Sequence, residues 1–358
     1  MTLTKNDKND SDQAQLPRIS VIVVNWNRRR LLASCLQSLV MQQGVAFEII
    51  VVDNGSSDGS AEEVIRIRET AAMPVLLIQN ADNRGFCAAN NQGIKEARGE
   101  LIALLNNDAE ASPGWLAELG AALDRHPEAG MAASKIVVWD DPSRIDKCGH
   151  LIWPDGQNRG RGTGQIDRGQ FDREEEVLWP DGCAAMYRSK MLAQIGGFDE
   201  DLFAYGDDAE LGFRARAAGW SCVYTHHAVV RHHRSATLGL LSSRRLELIE
   251  RNRVLLAVRH FPLSLLLKNP YWFGLRLFAG LMAALRGRGE AGKYRGLAEK
   301  VRLALAMLSG FVQGVLMIPA TWTKRRAFMS LRKLSDREIT ALLFRFRISL
   351  RELSERAA

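Results

Sequence analysis

Cysteine is scarce in this 358-residue chain: five residues, Cys35, Cys87, Cys148, Cys183 and Cys222, with no CxxC pair. An odd, scattered set excludes a disulfide scaffold and points to buried thiols in a reducing compartment. No hydrophobic segment opens the sequence. MTLTKNDKNDSDQAQLP is polar, which excludes a signal peptide, and reads as a disordered tail over residues 1–17. No GxGxxG follows the first apolar run, which argues against a nicotinamide dinucleotide enzyme. No internal repeat is present. Hydrophobic residues make up 46% and charged residues 25%, so the chain is neither disordered nor collagen-like. Its length suits one large or two modest domains.

Charge is unevenly spread. Residues 1–238 carry 25 Lys/Arg against 33 Asp/Glu, whereas residues 239–358 carry 23 against 8. The acidic part reads as a soluble domain, and the basic part calls for an anionic neighbour, membrane lipid or nucleic acid. Within the basic part, helical patterns cover Leu246–Arg259, Leu263–Leu285 and Val301–Trp322. Leu303–Trp322 has 20 residues without a charge, enough to cross a bilayer, but Gly310, Gln313, Gly314 and Pro319 interrupt it. Basic residues flanking moderately apolar helices suit attachment in the headgroup region of an anionic leaflet. A true span and a helical bundle packed on the domain stay open. Long apolar runs argue against nucleic acid as the partner.

Upstream, Ile19–Val24 is β-branched and continuous, as a strand buried on both faces of a parallel sheet should be. Strands at Phe47–Val52, Val75–Gln79 and Leu101–Leu105 alternate with helices at Arg30–Gln42, Ala61–Thr70 and Gly85–Arg98. This alternation predicts an α/β fold with a mainly parallel sheet. Ligands bind at the carboxyl ends of such strands, where Asp53 and Asp108 stand. Residues 140–181 show little periodicity and read as binding loops. A strand and helix follow over Gly182–Ile195, then a helix at Asp208–Ala218 and a last strand at Val223–Val230.

Four constellations have residue types suited to chemistry, and each also has a plain structural explanation. Asp53-Asn54-Gly55-Ser56 ends a strand in a carboxylate and a turn, which could equally cap a helix. Asn106-Asn107-Asp108 offers one carboxylate to a divalent cation, or caps the next helix. Asp207-Asp208 places two acids at a helix start, where like charge can raise one pKa, or where both simply complement the helix dipole. His232-His233 follows the last strand, as metal ligand or hydrogen-bonded imidazole.

Taken in order, Val21–Arg28, Val51–Ser60, Asn83–Gly93, Leu104–Ala109, Gly196–Glu200 and Tyr205–Arg214 resemble the inverting family 2 glycosyltransferases of GT-A fold. The resemblance runs from about Arg18 to Thr237. The Asn-Arg-Gly-Phe and Asn-Asn-Asp versions look most like the rhamnosyltransferase-like branch of bacterial surface polysaccharide assembly. It implies a Rossmann-like catalytic domain over 18–238 and an all-helical, basic, membrane-associating region over 239–358.

The resemblance also implies roles. Trp26, Asp53, Asn83, Arg84 and Asn107 would bind the donor, with Asp53 on the pyrimidine base. Asp108 matches the last carboxylate of the family's metal motif; Asn-Asn-Asp replaces the usual DxD, so Asp108 would hold Mg²⁺ or Mn²⁺ with help from His232. Asp208 matches the catalytic base, with Asp207 beside it, and Gly182 and Cys183 would lie near the acceptor. The implied reaction moves a sugar, rhamnose or another hexose, from a dTDP- or UDP-linked donor to a lipid-linked saccharide with inversion. It would take place at the cytoplasmic face of the cell membrane, on a peripherally attached enzyme touching an anionic membrane surface. A sugar nucleotidyltransferase and a catalytically silent membrane-surface binding module are the alternatives. Asn25–Arg30 lacks the glycines that the former needs.

Overall fold

The computed structural model of the chain describes residues 16–234, 242–289 and 296–355, so the expected tail and the boundary at 238 fall largely outside the described residues. The first apolar runs form four parallel strands: β1 (Ile19–Asn25), β2 (Phe47–Asp53), β3 (Val75–Gln79) and β4 (Leu101–Leu105). Both faces of these strands are covered. Val21, Val23, Ile49 and Val51 pack with α1 (Arg29–Val40), α2 (Ser60–Thr70) and α4 (Trp115–Arg125). Ile22, Ile50 and Val52 face the opposite core with α3 (Gly85–Glu96). Two covered faces explain why the sequence runs are apolar throughout instead of alternating.

Strand order in this half is β3-β2-β1-β4. The chain therefore winds one way from β1 to β3 and the other way to β4, which opens a crevice at the carboxyl ends of β1 and β4. Beyond β4 come β11 (Ala184–Arg188), antiparallel to both its neighbours, then β6 (Ala129–Val138), β12 (Ser221–His232) and β10 (Glu175–Glu176). β6 and β12 are parallel, while β5 (Ala109–Ala111) joins β12 and β7 (Ile145–Lys147) joins β6, both antiparallel. β8 (His150–Ile152) and β9 (Asn158–Gly160) form a separate pair. Residues 140–181, expected to be irregular, thus hold four strands of two or three residues each, too short to show a periodicity. α5 (Ser189–Ile195) and α6 (Asp207–Ala217) complete the domain.

The basic region is helical: α7 (Ser243–His260), α8 (Leu263–Leu267), α9 (Asn269–Leu285), α10 (Leu297–Leu316), α11 (Ile318–Leu331), α12 (Asp336–Arg345) and α13 (Leu350–Glu355). Two expected long helices are broken. Pro270 stands in the first turn of α9 and Pro319 in that of α11, where a missing N–H costs nothing but a continuing helix would lose a bond. The 20-residue uncharged run is therefore split at Met317, and its two halves meet at 62°. Among the described residues no single helix is long and apolar enough to cross a membrane; the bent pair passes by length and composition only. Much of the basic charge is also consumed internally. Arg259 is fully buried against Asp199 (2.6 Å), and Arg276 reaches Asp155 (2.6 Å) and Glu250 (2.7 Å).

Candidate active site

At the carboxyl end of β1, Asn25 Nδ2 donates to Asp53 Oδ1 (2.9 Å) and to Ser56 Oγ (3.1 Å). Asn107 Nδ2 donates in turn to Asn25 Oδ1 (2.7 Å), tying β1 to the loop after β4. Asp53 also accepts from the Ser56 N–H (3.0 Å) and hydroxyl. Both its oxygens are engaged, it is 2% exposed, and it is not among the cavity-lining residues. The carboxylate braces this corner, and Trp26, Asn54 and Asn83 face the cavity. Arg84 also lies off the cavity, largely exposed and 3.8 Å from Asp82. Asn83 Oδ1 accepts from the Gly85 N–H (2.9 Å). Gly85 has φ +84°, and a Cβ there would meet the Phe203 ring at 2.5 Å, so the Asn-Arg-Gly-Phe turn requires glycine.

Asp108 and His232 are 124 positions apart in the chain and adjacent in space. The pairing of β5 with β12 sets Ala109 opposite His232, and the His233 N–H donates to the Asp108 carbonyl (2.9 Å). His232 Nε2 lies 3.4 Å from Asp108 Oδ1, while Nδ1 is held by Asp146 Oδ2 at 2.7 Å. Against the effect of burial, contacts with Cys183, Asp108 and Asp146 hold the imidazole's proton well above its usual range. His233 points elsewhere and stacks on Trp139 at 4.4 Å.

The third group surrounds the start of α6. Gly206 precedes it at φ +75°, and Asn252 from α7 donates to the carbonyls of Leu202, Ala204 and Tyr205 (3.0, 2.9 and 2.6 Å), fixing the loop that delivers α6. Asp208 accepts from the Gly182 N–H (3.3 Å) and the Ala209 N–H (2.8 Å). His150 Nε2 stands 3.5 Å from Asp208 and 2.9 Å from Asp181, whose carboxylate also takes Lys147 Nζ at 2.6 Å. Burial and then the Asp208 charge push the Asp207 carboxyl up to about 8. Burial raises Asp208 too, opposed by His150 and Lys147. Two adjacent buried carboxyls cannot both ionise cheaply. His150 and Lys147 lie toward Asp208 and oppose its rise, so the proton of the pair sits on Asp207. Cys183 is buried, its N–H donating to Asp181 (2.9 Å), whereas Gly182 leaves the approach to Asp208 open.

Asp146, Lys147, His150, Asp181 and Asn252 carry this arrangement and do not stand out in the sequence. Only Asp181, next to Gly182-Cys183, had a signal in chain position. Two ligand-type groups face the cavity. His150, Asp181 and Asp208 offer atoms within 4.8 Å of one another, but the Lys147 ammonium already supplies a cation there. Asp108 and His232 also offer a divalent ion a place, where the ion would displace the Nε2 proton: Asp146 orients the ring and leaves Nε2 beside a carboxylate. The three groups open on one cavity of about 820 Å³, whose far wall comes from the C-terminal helices.

A family model described as Glycosyl transferase family 2 matches residues 20–196. An uncharacterized protein of Mycobacterium tuberculosis is 31% identical over 255 residues, 69% of this chain and 77% of that one. The N-acetylglucosaminyl-diphospho-decaprenol L-rhamnosyltransferase of the same organism is 28% identical over 62% of this chain and 78% of its own. An O-antigen biosynthesis protein of Myxococcus xanthus is 30% identical over 62% of this chain. The chain spans 18% of that protein's length and 25% of a Sinorhizobium fredii relative's. Among solved structures, a mannosyltransferase from Pyrobaculum calidifontis in complex with GDP-Man and Mn²⁺ superposes with a TM-score of 0.53 at 19% identity, covering 89% of this chain and 86% of that one. That likeness is one of fold, the GT-A arrangement of a mainly parallel sheet and its flanking helices. Ordered motifs, family model and relatives agree: the chain belongs to glycosyl transferase family 2.

Proposed function

We propose that the chain transfers a sugar, with inversion, from a nucleotide-activated donor to a lipid-linked saccharide at the cytoplasmic face of the cell membrane. One observation carries the reading: the Asp108–His232 pair and the Asp207–Asp208 pair open on the same cavity at the carboxyl ends of the sheet. Asp208, whose rise on burial is opposed by His150 and Lys147, takes the proton of the acceptor hydroxyl as its oxygen attacks the anomeric carbon. The bond to the diphosphate breaks on the opposite face, and its electrons leave with the nucleoside diphosphate. Mg²⁺ or Mn²⁺ held by Asp108 and His232 would neutralise charge on that leaving group. Trp26, Asn83 and Asn107 suit the donor, and Gly182 the acceptor. The mycobacterial L-rhamnosyltransferase supports a deoxysugar and an acceptor on a lipid diphosphate; the donor proposed is dTDP-linked, with UDP-linked hexose next. Residues 239–358 serve as the peripheral membrane attachment.

The test is nucleoside diphosphate release from dTDP-, UDP- and GDP-sugars with membrane lipid extract, with Mn²⁺ or Mg²⁺ and with EDTA. Release from one donor, abolished by EDTA, is expected. Asp208→Asn should cut transfer by about 10²–10⁴-fold while donor binding stays. Full activity in that variant would remove the base assignment, and binding without release from any donor would leave a silent binding module.

A further inference from the structure

The cavity that contains Asp208 continues well past the acceptor position. Its far wall is apolar and comes from two helices of the basic region: Leu277 and Leu281 on α9, Leu303 and Met307 on α10. Gly280 lines the same wall, and a Cβ built on it has no heavy atom within 4 Å, so there is unfilled room beside α9. The wall also reaches the surface: Leu281 and Leu277, which line the cavity, are 58% and 42% exposed. Phe278, Leu285, Leu305 and Leu308 extend the apolar character of α9 and α10 outward, each more than half exposed. A water-soluble surface seldom leaves so many large apolar side chains together. Arg245, Arg288 and Lys300 line the same cavity, cations of the kind that meet phosphate oxygens.

We infer that α9 and α10 wall a groove that takes the hydrocarbon chain of the acceptor, a long-chain lipid joined to its sugar through phosphate. The inference rests on the transferase reading above and adds the residues that select the lipid. An apolar protein segment fits less well, because the occupant must connect to a hydroxyl at Asp208 and present phosphate to cations inside one continuous cavity. A lipid-linked saccharide has those three parts in that order. Its chain leaves across Leu277 and Leu281 toward the exposed apolar face, which lies in the bilayer surface, so the lipid need not be lifted through water. Gly280 leaves open room in the wall, and its lack of a side chain sets the chain thickness admitted.

Gly280→Phe puts a ring into the groove from a position where an added Cβ meets no protein atom within 4 Å, and Gly280→Ala is the conservative control. The full-length protein, in detergent micelles, is titrated with decaprenyl diphosphate, with hexyl diphosphate and with UDP and dTDP. Gly280→Phe should weaken decaprenyl diphosphate binding by about tenfold or more, since several methylenes lose their apolar surroundings. Hexyl diphosphate and nucleotide binding should not change, and Gly280→Ala should bind all probes as the parent does. Unchanged decaprenyl diphosphate affinity in Gly280→Phe, or equal loss for both lipids, would overturn the groove. Nucleotide binding in the parent protein separates the two ideas: its absence defeats the transferase reading, whereas its presence with an insensitive long-chain probe defeats the groove alone.

Discussion

Asp207 and Asp208 are chemically identical and adjacent, yet their surroundings part them. Asp208 looks toward His150 and Lys147, and Asp207 has burial and its neighbour's charge to contend with. The consequence for stability has a definite sign. Between the ordinary carboxyl range and about pH 8, folded Asp207 keeps a proton that the unfolded chain has released. Stability therefore falls as pH rises through that window. Asp207→Asn removes the dependence: its thermal midpoint should exceed the parent's by several degrees at pH 8, with the gain vanishing toward about pH 4. A constant difference across that range, followed by scanning calorimetry, would show that Asp207 is not the proton's holder. Asp53, a carboxylate at a strand end, is tied to Asn25 and Ser56.

At the level of elements, the C-terminal helices help to build the candidate site. α7 fixes the loop into α6 through Asn252, and α9 is anchored through Arg276 to Asp155 and Glu250, both nearly fully buried. Burial alone would raise Glu250, but Arg276 and Arg253 hold it below its usual range. Arg276→Ala leaves Arg253 alone to serve two buried carboxylates, 2.8 Å from Glu250 and 3.8 Å from Asp155. Breaking a buried pair from one side costs about 3–5 kcal/mol. Urea unfolding should show a loss of that order, and a loss under about 1 kcal/mol would mean that Arg253 or water compensates fully.

For the whole molecule, the net charge of +7 conceals an acidic domain joined to a basic helical region. The basic charge of the helical region, together with the exposed apolar face of α9 and α10, suits attachment to an anionic surface. The protein should sediment with anionic vesicles at low ionic strength, bind neutral vesicles weakly, and release on raising salt to about 1 M, where screening is short-ranged. Retention at high salt would indicate that the bent pair α10–α11 inserts instead.

The sequence by itself determined the strands and helices with a strong pattern. β1 to β4 and α1 to α3 were legible to within a few residues, because burial on two faces leaves continuous apolar runs and burial on one leaves a 3.6-residue stripe. It also placed Asp108, Asp208 and His232 at element ends, through motifs whose order is a family property. Only the tertiary structure decided which of these face one another. β5, β6 and the short strands of 140–181 carry no periodicity, yet their pairings bring Asp146 to His232 and His150 with Lys147 to Asp181 and Asp208. The breaks at Pro270 and Pro319 are local, set by the prolines themselves, whereas the cover that α9 and α10 give the cavity arises from packing between residues distant in sequence. Local sequence sets which conformations a segment prefers; burial and charge pairing across the sheet set which side chains share a site.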